Sequence, residues 1–257
     1  MSVYDAVAPS FDRYRALPEG VPETIRAAIL DAIGASRSRL LDLGAGSGRI
    51  GRAFVAAGND YVGVDLSSGM LRQFKWRAEG NGRMPRLVQA DGERLPFPDA
   101  TFDAVMLIHV FGGRRGWRPL LGEARRVLRA AGALVIGHSV LPPDGVDARM
   151  KQRLAAVLGE MGVEPDQTNT RDDVQHWLES TAKGGIRVVA AEWNAARTPR
   201  GFLDRHRTGA AFSLLPAPIK EDALHTLRAW AATAFGSLDS VSSERHAFEV
   251  RVFTFQE

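Results

Sequence analysis

Short apolar runs alternate with amphipathic stretches along the first half of the chain. Continuous apolar runs are typical of parallel strands buried on both faces, and the stretches between them have a helical period. We therefore predict an α/β fold with a doubly wound, mostly parallel sheet of seven strands, joined by right-handed crossovers. The predicted strands of this half are 40–43, 61–65, 85–90, 102–109 and 132–138, and the predicted helices between them are 49–57, 68–78 and 117–129.

The pattern changes after residue 139. Strand 186–197 is predicted to return to the sheet, whereas the last strand, 246–255, alternates apolar and polar residues. Such alternation is typical of an antiparallel strand or of an edge position, because one face is then wetter than the other. The predicted helices of this half are 146–160, 171–182, about 200–212 and 219–235.

Composition limits the class of protein. A hydrophobic fraction of 45% and a charged fraction of 25% are typical of a soluble globular protein. No apolar run is long enough to span a membrane, and the first residues lack the features of a signal peptide. The absence of cysteine excludes disulfides, thiolate metal sites and thiol nucleophiles, and no other convincing metal ligand set is found. We therefore expect a cytoplasmic enzyme with no metal.

The charge is nearly balanced, with 33 basic and 30 acidic residues and a net charge of +3. The basic residues are scattered among acidic ones instead of forming one run, which argues against a nucleic-acid partner. No membrane partner is expected either, and the sequence carries no signal for an oligomeric state.

The most informative stretch runs from Leu40 to Arg49. A short apolar strand leads into three alternating glycines (Gly44–Gly48, the glycine turn), and a helix follows. Glycine tolerates positive φ and lets a ligand lie against the main chain, and the first N–H groups of the helix point toward that ligand. Asp65, at the tip of the next strand, can accept hydrogen bonds from both hydroxyls of a ribose. These features predict a nucleoside site.

Two nucleoside-containing ligands are considered for this site. The segment Gly46-Ser47-Gly48-Arg49-Ile50-Gly51 matches the dinucleotide fingerprint, which indicates NAD. Asp42 argues against that interpretation, because a carboxylate beside a pyrophosphate is unfavourable. No second glycine turn and no Tyr-x-x-x-Lys pair is found for hydride transfer. The alternative ligand is S-adenosylmethionine, which carries a sulfonium and an ammonium group but no phosphate.

Several motifs favour the second ligand. They are Leu41-Asp42-Leu43-Gly44-Ala45-Gly46-Ser47-Gly48, then Val64-Asp65-Leu66-Ser67, then the run from Gln89-Ala90-Asp91-Gly92 through Leu95-Pro96-Phe97-Pro98 to Phe102-Asp103-Ala104-Val105, and finally Arg125 to Leu134. Through these motifs the chain resembles the class I S-adenosylmethionine-dependent methyltransferases, in the branch of the ubiquinone and menaquinone biosynthesis C-methyltransferases. The resemblance covers about 35–139 by motif and 5–34 and 170–257 by architecture only. It departs from the family at Ala131, where a proline is usual.

The resemblance implies S-adenosylmethionine as cofactor and S-adenosylhomocysteine as product. It implies that the turn backbone holds the methionine moiety, that Asp42 lies near its ammonium, and that Asp65 holds the ribose. It further implies that Asp91 and Gly92 hold the adenine between Leu66 and Met70. The implied cofactor-binding residues are Asp42, Gly44, Ala45, Gly46, Asp65, Leu66, Met70, Asp91, Gly92, His109 and Tyr14.

His109 follows the fourth strand, near the expected position of the sulfonium. It is a candidate catalytic base because the ordinary pKa of histidine lies near neutrality. The alternative is that its side chain only lines the pocket while its main chain holds the cofactor.

We expect methyl transfer to a small, hydrophobic or aromatic acceptor at an oxygen, carbon or nitrogen atom. The alternatives are a non-catalytic S-adenosylmethionine-binding regulator and an NAD(P)-dependent oxidoreductase. One domain, 1–257, is expected. Its divisions are an N-terminal helical cover (1–36), a cofactor-binding core (37–139), lid insertions over the strand tips (140–169 and 199–243), and the rest of the sheet (170–198 and 244–257).

Overall fold

The structure is a computed structural model, and it describes residues 3–34, 38–79, 82–111, 116–163, 170–207, 212 and 215–255. Seven strands form one sheet in the order β3-β2-β1-β4-β5-β7-β6. The strands are β1 (Arg39–Leu43), β2 (Asp60–Asp65), β3 (Arg86–Gln89), β4 (Phe102–Ile108), β5 (Leu128–Val140), β6 (Gly184–Arg197) and β7 (Ser242–Thr254). Strands β1 to β5 pair in parallel, and β7 is antiparallel to both of its neighbours. The predicted fold class is confirmed.

The described helices cover both faces and one end of this sheet. They are α1 (Val3–Phe11), α2 (Val21–Ala32), α3 (Gly51–Ala56), α4 (Ser68–Ala78), α5 (Trp117–Val127), α6 (Val146–Glu160), α7 (Thr170–Thr181), α8 (Pro199–Arg207) and α9 (Ala217–Ala234), with a short 3-10 helix at Asp12–Tyr14. Helices α2, α3 and α4 bury apolar side chains against one face, and α5 and α7 bury theirs against the other. Because neighbouring residues of a strand point to opposite faces, Leu40 belongs to the first core and Leu41 to the second.

The last strand is antiparallel, as predicted, but it is not an edge strand. It lies between β5 and β6, and β6 forms the edge instead. The polar side chains of its wetter face are paired: Glu249 with Arg187 of β6, and Arg251 with Glu179 of α7 at 2.8 Å. Strand β5 is also longer than predicted, because it begins directly at the end of α5.

The N-terminal cover is fixed to the sheet layers by carboxylates. Asp5 of α1 accepts hydrogen bonds from the Ser67 hydroxyl (2.6 Å) and from the backbone N–H of Gly69 (2.9 Å), at the start of α4. These contacts place α1 beside the carboxyl end of β2, where Asp65 lies.

Helices α6, α8 and α9, here called the outer helices, share a small apolar core that includes Met150, Phe202 and Leu227. The outer helices contact the sheet where β5 and β6 end and β7 begins. There the N–H of Val146, the first residue of α6, donates to Glu244 of β7 at 2.7 Å. This is the carboxyl end of the parallel strands. The lid role predicted for 140–169 and 199–243 stays a prediction, and 164–169, 208–211 and 213–214 lie outside the described residues.

Candidate active site

A cavity of about 510 Å³ opens at the carboxyl ends of β1, β2 and β4. The sheet order reverses between β1 and β4, and such a switch point leaves a crevice in which open α/β sheets bind ligands. Its lining includes every predicted cofactor residue except Tyr14, whose side chain lies outside the described residues. The shared lining residues are Asp42, Gly44, Ala45, Gly46, Asp65, Leu66, Met70, Asp91, Gly92 and His109.

The glycine turn forms the floor of the cavity. Gly44 has φ +87°, and a Cβ added there would lie 2.8 Å from a methyl carbon of Val110. Both the positive φ and this close approach require glycine. The turn is closed onto β2, because the N–H groups of Gly44 and Ala45 donate to the carbonyl of Val64 at 2.8 and 2.9 Å.

Asp65 is held at the tip of β2 by backbone donors. Its Oδ2 accepts from the N–H of Gly46 at 2.9 Å, and its Oδ1 accepts from the N–H of Ser67 at 2.8 Å. Burial raises the pKa of Asp65, and the hydrogen bonds from Ser67 and Gly46 oppose that rise. Each carboxylate oxygen keeps a further lone pair, which can accept a hydrogen bond from a ligand hydroxyl.

Asp42 is a buried carboxylate with one unsatisfied oxygen. The Tyr61 hydroxyl donates to its Oδ2 at 2.6 Å, whereas Oδ1 is buried with no hydrogen-bond partner among the described residues. Burial raises the pKa of Asp42 to about 6, against the hydrogen bond from Tyr61, and Asp65 adds to the rise. An unpaired buried acceptor is costly, so this oxygen is suited to a cationic ligand group.

His109 lies in the left-handed region, with φ +58°. Its N–H donates to the carbonyl of Gly137 at 2.8 Å, and its Nε2 lies 3.4 Å from the Ser139 hydroxyl. Non-glycine residues at positive φ are uncommon and often lie at functional sites. His109 borders the cavity and is exposed toward it. The surrounding protein and the charge of Arg49 lower the pKa of His109, and the solvent that reaches the ring limits the size of this change.

Comparison with known proteins agrees with this geometry. A protein-family profile described as "Methyltransferase domain" matches residues 41–136. A demethylmenaquinone methyltransferase from Thermobifida fusca is 33% identical over 202 residues, which cover 75% of this chain and 85% of that protein. The chain belongs to the class I S-adenosylmethionine-dependent methyltransferases. Membership of this family makes S-adenosylmethionine its cofactor and methyl transfer its reaction, and neither alternative is favoured.

Other relatives match a smaller share of this methyltransferase. The demethylmenaquinone methyltransferase of Thermus thermophilus is 34% identical over 147 residues, or 56% of this chain and 67% of that protein. Two further proteins of that name match over 58% of their own length, which is less than two thirds. The crystal structure of the YcgJ protein from Bacillus subtilis has a TM-score of 0.58 at 20% identity, covering 90% of this chain and all of that one, and this likeness shows the fold alone.

The polar groups that line the cavity of this methyltransferase match the polar groups of S-adenosylmethionine. The unsatisfied Oδ1 of Asp42 can accept from the methionine ammonium, and the carboxylate of Asp65 is available to ribose hydroxyls. Leu66 is 56% exposed and Met70 is buried, and both border the cavity. Asp91 is exposed beside Gly92, where an added Cβ would lie 2.6 Å from Leu120.

Sequence reasoning missed two lining residues with clear chemistry. Arg49 follows the glycine turn directly, and its Nε is buried without a hydrogen-bond partner among the described residues. Ser47, inside the turn, donates to Asp12 of the N-terminal cover at 2.6 Å. A cation at the start of a helix was the available signal for Arg49, whereas nothing in the sequence pairs Ser47 with Asp12.

No group of three or more metal-binding side chains occurs in the described ranges. Among the helices described here, none is long and apolar enough to cross a membrane.

Proposed function

We propose that this methyltransferase acts on a small, hydrophobic or aromatic acceptor, with oxygen as the first atom to test, before carbon and nitrogen. One observation carries the proposal: the cofactor residues and His109 border a single cavity, whose remaining wall is largely apolar. Tyr4, Phe11, Val110 and Leu120 contribute to that wall. Pockets with apolar walls and a few polar groups are typical of small-molecule sites. The demethylmenaquinone methyltransferases among its relatives further support an aromatic acceptor.

We propose that groups at the carboxyl ends of β1, β2 and β3 hold the cofactor. In this proposal Asp65 accepts from the ribose, Asp42 accepts from the ammonium, and Asp91 accepts from the adenine amino group. When bound, S-adenosylmethionine supplies a methyl group on a sulfonium, and the electron pair of the broken C–S bond remains on sulfur in S-adenosylhomocysteine. Helix α1 limits the access of water, because Tyr4 and Phe11 border the same cavity.

His109 is proposed to position the acceptor as a neutral imidazole. Its lowered pKa keeps the ring uncharged at neutral pH, so it accepts a hydrogen bond from an acceptor hydroxyl or N–H. A proton released by the acceptor goes to solvent water at the open side of the cavity, and His109 only orients the group that carries it. Holding acceptor and methyl in line then supplies most of the acceleration.

The first test is calorimetric titration with S-adenosylhomocysteine and, in parallel, NAD. We expect only S-adenosylhomocysteine to bind the wild type. Asp65→Ala should weaken that binding at least about tenfold, because hydrogen bonds to a charged group each contribute about 1.5–3 kcal/mol. Asp144→Ala is the matched control, since Asp144 is exposed on a loop and does not line the cavity. Asp65→Asn, with circular dichroism of each variant, separates lost binding from lost folding. NAD binding, or equal affinity in the Asp65 variants, would contradict the cofactor site.

The second test follows the labelled methyl group of S-adenosylmethionine into a panel of aromatic hydroxyl compounds. Extraction into organic solvent separates the product from the cofactor. Label in the extract supports the proposal. Label found only in added protein or nucleic acid, or S-adenosylmethionine bound with no transfer to any compound, would overturn the acceptor assignment.

A further inference from the structure

Three carboxylates and one guanidinium line the cavity. Within the described lining, the carboxylates belong to Asp42, Asp65 and Asp91, and the guanidinium belongs to Arg49. Desolvation lowers the pKa of Arg49 to about 10, so its side chain stays charged at neutral pH. The cavity therefore offers one permanent positive charge to a ligand.

Within the described part of the chain, Arg49 has no partner for this charge. Its Nε is buried without a hydrogen-bond partner among the described residues, and no described carboxylate forms an ion pair with it. A buried donor without an acceptor is costly, and so is a desolvated cation without an anion. An anionic group of a ligand in the cavity would remove both costs.

Arg15 of the N-terminal cover lies within electrostatic range of Arg49 but makes contacts of its own. Its two terminal nitrogens donate to the backbone carbonyls of Phe11 at 3.4 Å and Arg205 at 3.2 Å. Its guanidinium carbon lies 4.7 Å from the centre of the Phe11 ring. Arg15 is also not among the described lining residues of the cavity. The anion is therefore expected at Arg49 and not at Arg15.

The backbone brings Arg49 to the same part of the cavity as the Asp42 carboxylate. Arg49 directly follows the glycine turn, and Gly51, two residues further on, packs so closely against Tyr61 that an added Cβ would collide with its hydroxyl. That hydroxyl donates to Asp42 at 2.6 Å. Asp42 before the turn and Arg49 after it therefore flank one end of the cavity.

These two residues carry unsatisfied groups of opposite charge that do not meet each other. Oδ1 of Asp42 lacks a donor, Nε of Arg49 lacks an acceptor, and the two side chains form no ion pair. An α-amino acid carries an ammonium and a carboxylate on one carbon atom, so a single ligand group of this kind can satisfy both. S-adenosylmethionine ends in such a group.

We propose that Arg49 binds the carboxylate of the methionine moiety of S-adenosylmethionine, opposite Asp42, and makes the site selective for nucleosides that carry this carboxylate. The inference rests on the proposed placement of the ammonium at Asp42. A guanidinium can form two parallel hydrogen bonds with a carboxylate, and such charge-assisted bonds are about twice as strong as neutral ones. The carboxylate also neutralises Arg49, whose charge would otherwise repel the sulfonium.

The test compares S-adenosylhomocysteine with decarboxylated S-adenosylhomocysteine, in which a hydrogen atom replaces the carboxylate and the ammonium remains. Each ligand is titrated calorimetrically at neutral pH and fixed ionic strength. The lining carboxylates favour the more positive, decarboxylated ligand, so a preference for S-adenosylhomocysteine reports a cation in the site. We expect the wild type to prefer S-adenosylhomocysteine at least about tenfold, the ratio that corresponds to one hydrogen bond between charged groups.

Arg49→Gln should bind S-adenosylhomocysteine at least about tenfold more weakly and the decarboxylated ligand as before, so that the preference disappears. Arg49→Lys keeps the charge but not the paired donors, and it should retain part of the preference. Arg52→Gln is the matched control, because Arg52 lies on α3, donates to the carbonyl of Gly48 at 3.2 Å and is not among the described lining residues.

The outcomes separate this inference from the function on which it rests. Failure of the wild type to bind S-adenosylhomocysteine would overturn the proposed cofactor site as a whole. Binding of both ligands with equal affinity by the wild type would overturn only the role of Arg49. So would a preference that survives in Arg49→Gln, which is expected if Arg49 serves the methyl acceptor instead. An equal loss of affinity for both ligands in Arg49→Gln would also overturn it, since Arg49 would then only shape the turn.

Discussion

Asp12 of the N-terminal cover accepts a hydrogen bond of 2.6 Å from Ser47, inside the glycine turn. Asp12 is 4% exposed and is also paired with Arg77 of α4. A single carboxylate thus joins the cover, the turn and a helix of the sheet layer. A residue that lines the cavity is thus bonded to a segment that lies far from it in sequence.

Asp12→Ala should therefore lower both stability and cofactor affinity. Removing one partner of a buried pair leaves Arg77 and Ser47 unsatisfied, and we expect a loss of about 2–4 kcal/mol in the free energy of unfolding. Urea denaturation and titration with S-adenosylhomocysteine measure the two effects. Ser47→Ala removes only the hydroxyl and should cost about 1 kcal/mol. If Asp12→Ala binds the cofactor with wild-type affinity, the cover does not shape the turn.

Asp42→Asn should stabilise the protein without ligand while weakening cofactor binding. The pKa of Asp42 is raised to about 6 in the folded state, so the unfolded chain ionises first as pH rises. Ionisation therefore removes stability between about pH 4 and pH 6, and a neutral amide avoids that loss. We expect a gain of about 1–3 kcal/mol at neutral pH. Thermal denaturation over a pH series checks it, and lower stability of the variant at pH 7 would contradict it.

Tyr61→Phe should shift the pH dependence of cofactor binding upward. The Tyr61 hydroxyl stabilises the ionised carboxylate, so its removal raises the pKa of Asp42 further. The cofactor ammonium is expected to bind the ionised form of Asp42. As the pH is lowered, the variant should therefore lose affinity for the cofactor at a higher pH than the wild type does. Calorimetric titrations of both proteins at several pH values measure the shift. Superimposable pH profiles would show that Asp42 does not bind the ammonium.

Gly44→Ala should damage the turn. The new methyl group meets both a φ of +87° and Val110 at 2.8 Å, and we expect a loss of at least about 1–2 kcal/mol. Gly159→Ala, in α6 with nothing within 4 Å of its added Cβ, should instead leave stability unchanged or raise it by up to about 1 kcal/mol. Equal effects of the two substitutions in urea denaturation would contradict this account.

His109 should titrate below the ordinary midpoint of a histidine. Desolvation and the charge of Arg49 lower the pKa of its ring, so in a pH series from 5 to 8 the midpoint should lie below about 6.5. The His109 ring resonance, assigned by its loss in His109→Gln, is followed by NMR over that range. A titration midpoint near 6.5 would show that desolvation and Arg49 do not act on this ring as described.

The sequence alone determined the sheet and the edge of it at which the cavity opens. Apolar runs and glycines are local signals, and the strand tips at Asp65 and His109 follow from them because parallel strands share one carboxyl edge. These residues line the cavity as expected. The sequence also predicted that β7 has one wetter face, but it did not predict that β7 lies inside the sheet. An antiparallel strand shows the same alternation of apolar and polar residues whether it pairs with one strand or with two.

Tertiary structure decided the contacts between distant segments. The pairs Asp12 with Ser47, Tyr61 with Asp42, and Arg15 with Arg205 join residues that no pattern links, because each forms only once helices and strands have packed. Local sequence fixes the backbone of the glycine turn, whereas long-range packing sets which charged groups meet at the cavity, because electrostatic interactions depend on distance in space and not along the chain.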